Sequence, residues 1–284
     1  MRAARKFVSL LGTGSVVTAV AAVAVTVAAT PASAAVVGRE VITYNTGRTS
    51  DDKPATARCS TGKVVIGTAA WMVNAAGEVR ITQLIPRLTE VFAYAMEDED
   101  GTSAEWDLYV SAVCANPYPG LVIESETVSS SGAPWRSASA TCPTGKHVLG
   151  TGFWIDRGYG QVGIEKVSIF DTDQVYALAW EDDTEYSGSW EVTAYAICSP
   201  PLPGLEIVAT SSTLDSGYVQ SQTASCPRGK VLIGGAGGVE YGSGQVVVED
   251  FFNDDRRYTI TAFEDDDGDV STWGLEAYAI CATP

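Results

Sequence analysis

The chain has 284 residues, with 18 Lys and Arg against 35 Asp and Glu, a formal net charge of −17, one His and six Cys. A surface of that sign repels nucleic acid and anionic membrane, so neither is expected as a partner. A single His and an even set of Cys leave little room for His- or Cys-dependent catalysis.

Arg2, Arg5 and Lys6 precede an apolar stretch from Phe7 to Ala29, and Pro31, Ala32, Ser33 and Ala34 follow. This is the layout of a secretory signal with Ala32-x-Ala34 as its cleavage site, so residues 1–34 are expected to be removed and the protein to be secreted and extracellular. Without Arg2, Arg5 and Lys6 the 18 cations become 15 against the same 35 acids, a net charge of −20. After cleavage no membrane association is expected.

The remainder is triplicated. Cys59, Cys142 and Cys226 open Cys59-Ser60-Thr61-Gly62-Lys63, Cys142-Pro143-Thr144-Gly145-Lys146 and Cys226-Pro227-Arg228-Gly229-Lys230, and Gly67, Gly150 and Gly234 each lie eight residues on. Cys114, Cys198 and Cys281 close the copies, each eight residues after Trp106, Trp190 or Trp273. A fixed period dictates architecture before any local signal does. Residues 35–117, 118–201 and 202–284 are therefore three repeats. Disulfides suit an exported chain, and although many pairings are formally open, the repeat favours Cys59 with Cys114, Cys142 with Cys198 and Cys226 with Cys281.

Within each copy, short alternating runs rich in Val, Ile, Thr, Tyr and Trp are broken by Gly, Pro, Asp and Ser, with no helical period. About six strands per repeat are predicted, an all-β fold. In the third copy they are 205–210, 219–226, 231–239, 245–252, 257–264 and 273–281. The proline-bearing links 117–120 and 200–204 are too short for free tethers, so neighbouring repeats should touch.

Period two places Trp190 with Val192, Ala194, Ala196 and Cys198 on one face, which gives Trp106, Trp190 and Trp273 a core role. Trp71 and Trp154 both lie twelve residues after the first Cys, where the third copy has Gly238. A position that tolerates Trp or Gly is not a shared core contact, so these two rings are candidate ligand platforms.

His147 aligns with Val64 and Val231 on a strand and is expected to be an outward polar residue. No nucleophile elbow, zinc-protease motif or phosphate loop is present. A repeated acidic loop begins nine residues before each shared Trp. Its candidate calcium ligands are Glu97, Asp98 and Asp100, then Glu181, Asp182 and Asp183, then Glu264, Asp265, Asp267 and Asp269, because Ca²⁺ takes hard oxygen ligands on a bendable loop. A solvated turn that guards a strand edge is the competing reading.

The Cys-Pro-x-Gly-Lys run, the Gly-x-Gly-Gln-Val turns at 158–162 and 242–246 and the closing Ala-Tyr-Ala-Ile-Cys at 194–198 and 277–281 resemble a repeat of exported actinobacterial proteins. That resemblance implies secretion and repetition, and no activity. Three Cys-bearing β repeats are also similar to pseudo-threefold β-prism proteins such as the vitelline membrane outer layer family, whose repeats are shorter. Two arrangements stay open, three sandwiches in a row or three sheets about a pseudo-threefold axis, and the short links tilt toward the second.

The expected function is non-catalytic binding of cell-wall or environmental polysaccharide through repeated sites, with calcium as a possible cofactor and no other. The alternatives are a structural or protein-partner role, including protease inhibition, and, last, an acid-pair hydrolase, since two carboxyl groups suffice for glycoside cleavage.

Overall fold

In a computed structural model that describes residues 36–98, 101–129, 132–182, 186–265 and 271–284, every repeat forms six strands. The predicted signal segment lies outside the described residues. The first repeat contributes β1 (Glu40–Asn45), β2 (Lys53–Arg58), β3 (Val64–Val73), β4 (Val79–Pro86), β5 (Glu90–Glu97) and β6 (Asp107–Ala115). The second contributes β7 (Val122–Ser129), β8 (Trp135–Thr141), β9 (His147–Asp156), β10 (Val162–Phe170), β11 (Gln174–Glu181) and β12 (Glu191–Ser199). The third contributes β13 (Glu206–Ser211), β14 (Val219–Ser225), β15 (Val231–Glu240), β16 (Val246–Asn253), β17 (Arg257–Glu264) and β18 (Gly274–Ala282), each within one residue of its predicted ends.

These strands build three six-stranded sheets, ordered β1-β6-β3-β16-β17-β14 in the first, β13-β18-β15-β10-β11-β8 in the second and β2-β5-β4-β9-β12-β7 in the third. No repeat owns a sheet. The first, sixth and third strands of each copy form one half-sheet, which is completed by the fourth, fifth and second strands of another copy. The exchange runs from first to third, second to first and third to second, so the ring closes. This is the pseudo-threefold arrangement, and the row of sandwiches is not what forms.

Because each repeat is divided between two sheets, something must hold its halves together. The disulfides Cys59–Cys114, Cys142–Cys198 and Cys226–Cys281 do so, with Cα atoms 5.7, 5.6 and 5.6 Å apart. Each joins the residue after the second strand to the sixth strand, across two sheets. Trp106, Trp190 and Trp273 are fully buried at the other end of the sixth strand, eight residues before its cysteine.

The shared glycines are explained where the three sheets meet. A Cβ on Gly150 would lie 2.6 Å from the Ile66 carbonyl oxygen and 2.9 Å from the Gly67 Cα. Gly67 faces Ile233 and Gly234 in the same way, and Gly234 faces Leu149 and Gly150. Three backbones thus touch around an axis where no side chain fits. One residue on, the Thr68 hydroxyl donates to the Thr151 carbonyl (2.6 Å) and the Thr151 hydroxyl to the Gly235 carbonyl (2.7 Å). Gly235 has no hydroxyl to close the circle. Tyr258 packs over it instead and donates to the Thr68 carbonyl at 3.3 Å.

Candidate functional site

The half-sheets join through narrow contacts, which pair Trp71 with Asp250, Trp154 with Gln83 and Gly238 with Lys166. Opposed residues of antiparallel strands share a face. The outer row of the first sheet therefore reads Asn45, Tyr109, Trp71, Asp250 and Thr261. The Trp71 ring stacks on Tyr109, with centroids 5.2 Å apart and planes 10° from parallel, and meets Phe252 edge-on at 5.1 Å. Burial raises the pKa of Asp250 despite hydrogen bonds from Thr261 and the Met72 backbone.

The equivalent row of the third sheet reads Thr127, Thr193, Trp154, Gln83 and Tyr94. The two threonine hydroxyls are 2.8 Å apart. Trp71 and Trp154 are both half-buried, each with part of its ring open to solvent. In the second sheet Gly238 replaces the tryptophan because its strand comes too close to β10, and a Cβ there would sit 2.5 Å from the Lys166 Cα. The Lys166 ammonium occupies the outer face, paired with Glu240 and, at 2.7 Å, with Glu276.

Sequence reasoning overlooked a second aromatic feature on that sheet. Trp135 on β8 lies opposite Trp180 on β11, with centroids 6.1 Å apart and planes inclined by 30°. Trp135 is 42% exposed. Counting back from the cysteines aligns Trp135 with Asp52 and Val219, so comparison of the copies, which favours shared residues, passes over it. Its outward place at the start of an alternating strand was the available signal.

At one end of the prism the acidic loops have structural partners. The indole N–H groups of Trp106, Trp190 and Trp273 donate to Glu97 (3.0 Å), Glu181 (2.6 Å) and Glu264 (3.1 Å). Asp98 accepts from the Gly101 N–H within its own loop at 2.9 Å. Asp265 and Asp182 lie 2.5 and 3.9 Å from the buried guanidinium of Arg80. Asp100, Asp183, Asp267 and Asp269 lie outside the described residues. Among the described residues no group of three His, Cys, Asp or Glu is gathered to hold a metal ion.

Below these loops, β4, β10 and β16 each carry a bulge, which makes Thr82, Glu165 and Glu249 the inserted residues. Glu249 accepts from the Gly77 N–H of the first repeat, and Glu165 accepts from the Ser243 N–H of the third at 3.2 Å. Burial pushes the Glu249 carboxyl up to about 8 and that of Glu165 up to about 6, against the opposing backbone hydrogen bonds. Arg80, Gly163, Glu165, Trp180 and Gly244 line a small cleft of about 10 Å³, near the minimum for one water molecule.

At the opposite end, His147 lies 2.8 Å from the Thr172 hydroxyl, in a recess of about 260 Å³ shared with Leu202 and Gly204. A larger polar recess of about 540 Å³ is lined by Asp254, Asp255, Arg256 and Arg257. Asp254 is committed there, accepting from both the N–H and Nε of Arg257 and from the Arg256 N–H. No protein-family model matches the chain, and no curated protein matches it.

Proposed function

We propose that this is an exported, non-catalytic binding protein for polysaccharide, with aromatic strips on the outer faces of a closed β-prism as its sites. The observation that carries the reading is the equivalent placement of Trp71 and Trp154. Each stands at the same register in a different sheet, in a row that mixes aromatic rings with hydroxyl, amide or carboxylate groups. A sugar ring presents an apolar C–H face for stacking and hydroxyls around its rim for hydrogen bonds, and such rows offer both. Rigid strands hold the groups in place, which limits the entropy lost on binding.

Triplication supplies avidity, since linked weak sites on one rigid body bind a repetitive polymer more tightly than either site alone. The acids of the prism end support a non-catalytic role, because Glu97, Glu181, Glu264, Asp182 and Asp265 are committed to indole and guanidinium partners.

The test is co-sedimentation of the secreted protein with insoluble cell wall, chitin and cellulose, in calcium and again in chelator. Retention is expected on at least one solid, and Trp71→Ala and Trp154→Ala should each weaken it roughly fivefold, the equivalent of about 1 kcal/mol. Loss in chelator would give the acidic loops a calcium-dependent share in binding. Absence of retention on all three solids would overturn the reading.

A further inference from the structure

We infer that the second sheet carries a glycan-binding strip of its own, running from the Trp135 and Trp180 pair to the Lys166, Glu240 and Glu276 cluster. The inference rests on the polysaccharide reading above and extends it to the one face without an aromatic residue at its junction.

The strip follows from strand order. Trp135 lies on β8, Trp180 on β11, Lys166 on β10, Glu240 on β15 and Glu276 on β18, five consecutive strands of one sheet. On β11, Ala177 and Ala179 are fully buried while Tyr176, Leu178 and Trp180 are partly open, so the tryptophan points outward. Lys166 pairs with Leu178 on β11 and, through Gly238, with Glu276, which places the charged cluster on the same face. Four strand spacings make about 19 Å, the span of a short oligosaccharide laid across the strands.

The chemistry along this line changes from apolar to polar. At one end two indoles, tilted by 30° with centroids 6.1 Å apart, form a shallow and partly open trough. At the other, Lys166 holds Glu240 and Glu276 in fixed positions, and the Tyr278 hydroxyl donates to Glu276 at 2.8 Å. Fixed carboxylates accept hydrogen bonds from sugar hydroxyls without a further ordering cost.

A second observation points to the same place. Tyr241 follows Glu240 directly, is 67% exposed and adopts a left-handed backbone conformation with φ of 68°. That conformation is costly for a bulky residue. The turn it opens lies against Trp180, because a Cβ on Gly244 would come within 2.9 Å of the indole Cδ1. Asn74 and Arg157 take the same conformation at the equivalent turns, with φ of 73° and 62°, so the backbone belongs to the shared turn, and what the third copy adds is an exposed aromatic ring in a turn that lies against Trp180.

The probes are the insoluble solids named above together with soluble chitin and cellulose hexasaccharides, followed by tryptophan fluorescence. Trp135→Ala is expected to keep the melting temperature of the parent and to weaken binding at least fivefold. Tyr241→Gly relieves the backbone strain, so it should raise the melting temperature and still weaken binding, a combination that a structural role would not produce. In the Trp71→Ala, Trp154→Ala double variant, residual binding should remain and should disappear when Trp135→Ala is added. If the double variant abolishes binding and Trp135→Ala and Tyr241→Gly have no effect, the second-sheet strip is overturned while the polysaccharide reading stands. If the parent protein binds none of the probes, both fall.

Discussion

Arg80 of the first repeat donates to Asp265 of the third at 2.5 Å, and Asp182 of the second lies 3.9 Å from the same guanidinium. One buried cation thus joins all three copies. Its counterparts by alignment are Gly163 and Val247, and Gly163 leaves the space it fills, since a Cβ there would sit 2.9 Å from an Arg80 nitrogen. The threefold pattern is broken here so that a single guanidinium can serve acids from two other copies. Removing one partner of a buried pair strands the others without compensation, at a cost of about 3–5 kcal/mol. Arg80→Met should lower stability by that amount in urea denaturation, and adding Asp182→Asn and Asp265→Asn should restore much of it. Failure of the triple variant to recover would mean that the side chain's packing, and not its charge, is what matters.

Gly150→Ala tests the axis itself. The added methyl would meet the Ile66 carbonyl and the Gly67 Cα, both backbone atoms that cannot rotate away. Overpacking of this kind costs about 1–3 kcal/mol or more. Expression of the variant with a melting temperature equal to the parent's would show that the three backbones can separate without cost. Gly145→Ala is the control, because no atom lies near its Cβ position, although its φ of 83° carries a cost of its own.

Hydrophobic alternation was enough to place the strands of the third copy to within a residue, and the period of Cys, Gly and Trp to pair the cysteines, because these are local or repeated signals. The exchange of half-sheets between copies was not legible. A half-sheet pairs equally well, as far as its own pattern goes, with its own repeat or with a neighbour's. Glu97, Glu181 and Glu264 were visible at a constant nine residues before Trp106, Trp190 and Trp273, yet their meaning depends on β5 and β6, or their equivalents, approaching from different sheets. Arg80 and Trp135 escaped for another reason: each belongs to one copy alone, and comparing copies rewards what is shared.

The disulfides should matter more than their number suggests, because each ties the two halves of a repeat across two sheets. Cys142 and Cys198 are 56 positions apart in sequence, and loop closure on that scale contributes about 4 kcal/mol. The Cys142→Ser, Cys198→Ser variant should show an unfolding free energy lowered by that amount, with the denaturation midpoint falling accordingly. An unchanged midpoint would mean that the half-sheet junctions alone hold the second repeat in place.

Glu249 gives the fold a pH dependence whose sign is fixed by its surroundings. Burial raises its carboxyl from an ordinary 4.5 to about 8. The folded protein therefore holds the proton more tightly than the unfolded chain. The stability this contributes is fully present below the unfolded value and is lost as pH rises through about 8. Glu249→Gln keeps an oxygen to accept from the Gly77 N–H and removes the titration. In thermal melts across that window, the parent's stability relative to the variant should fall steadily with rising pH, by up to about 5 kcal/mol. A difference that does not change with pH would place the carboxyl in contact with water or a cation, and the junction between the first and third repeats would then be more open than its geometry shows.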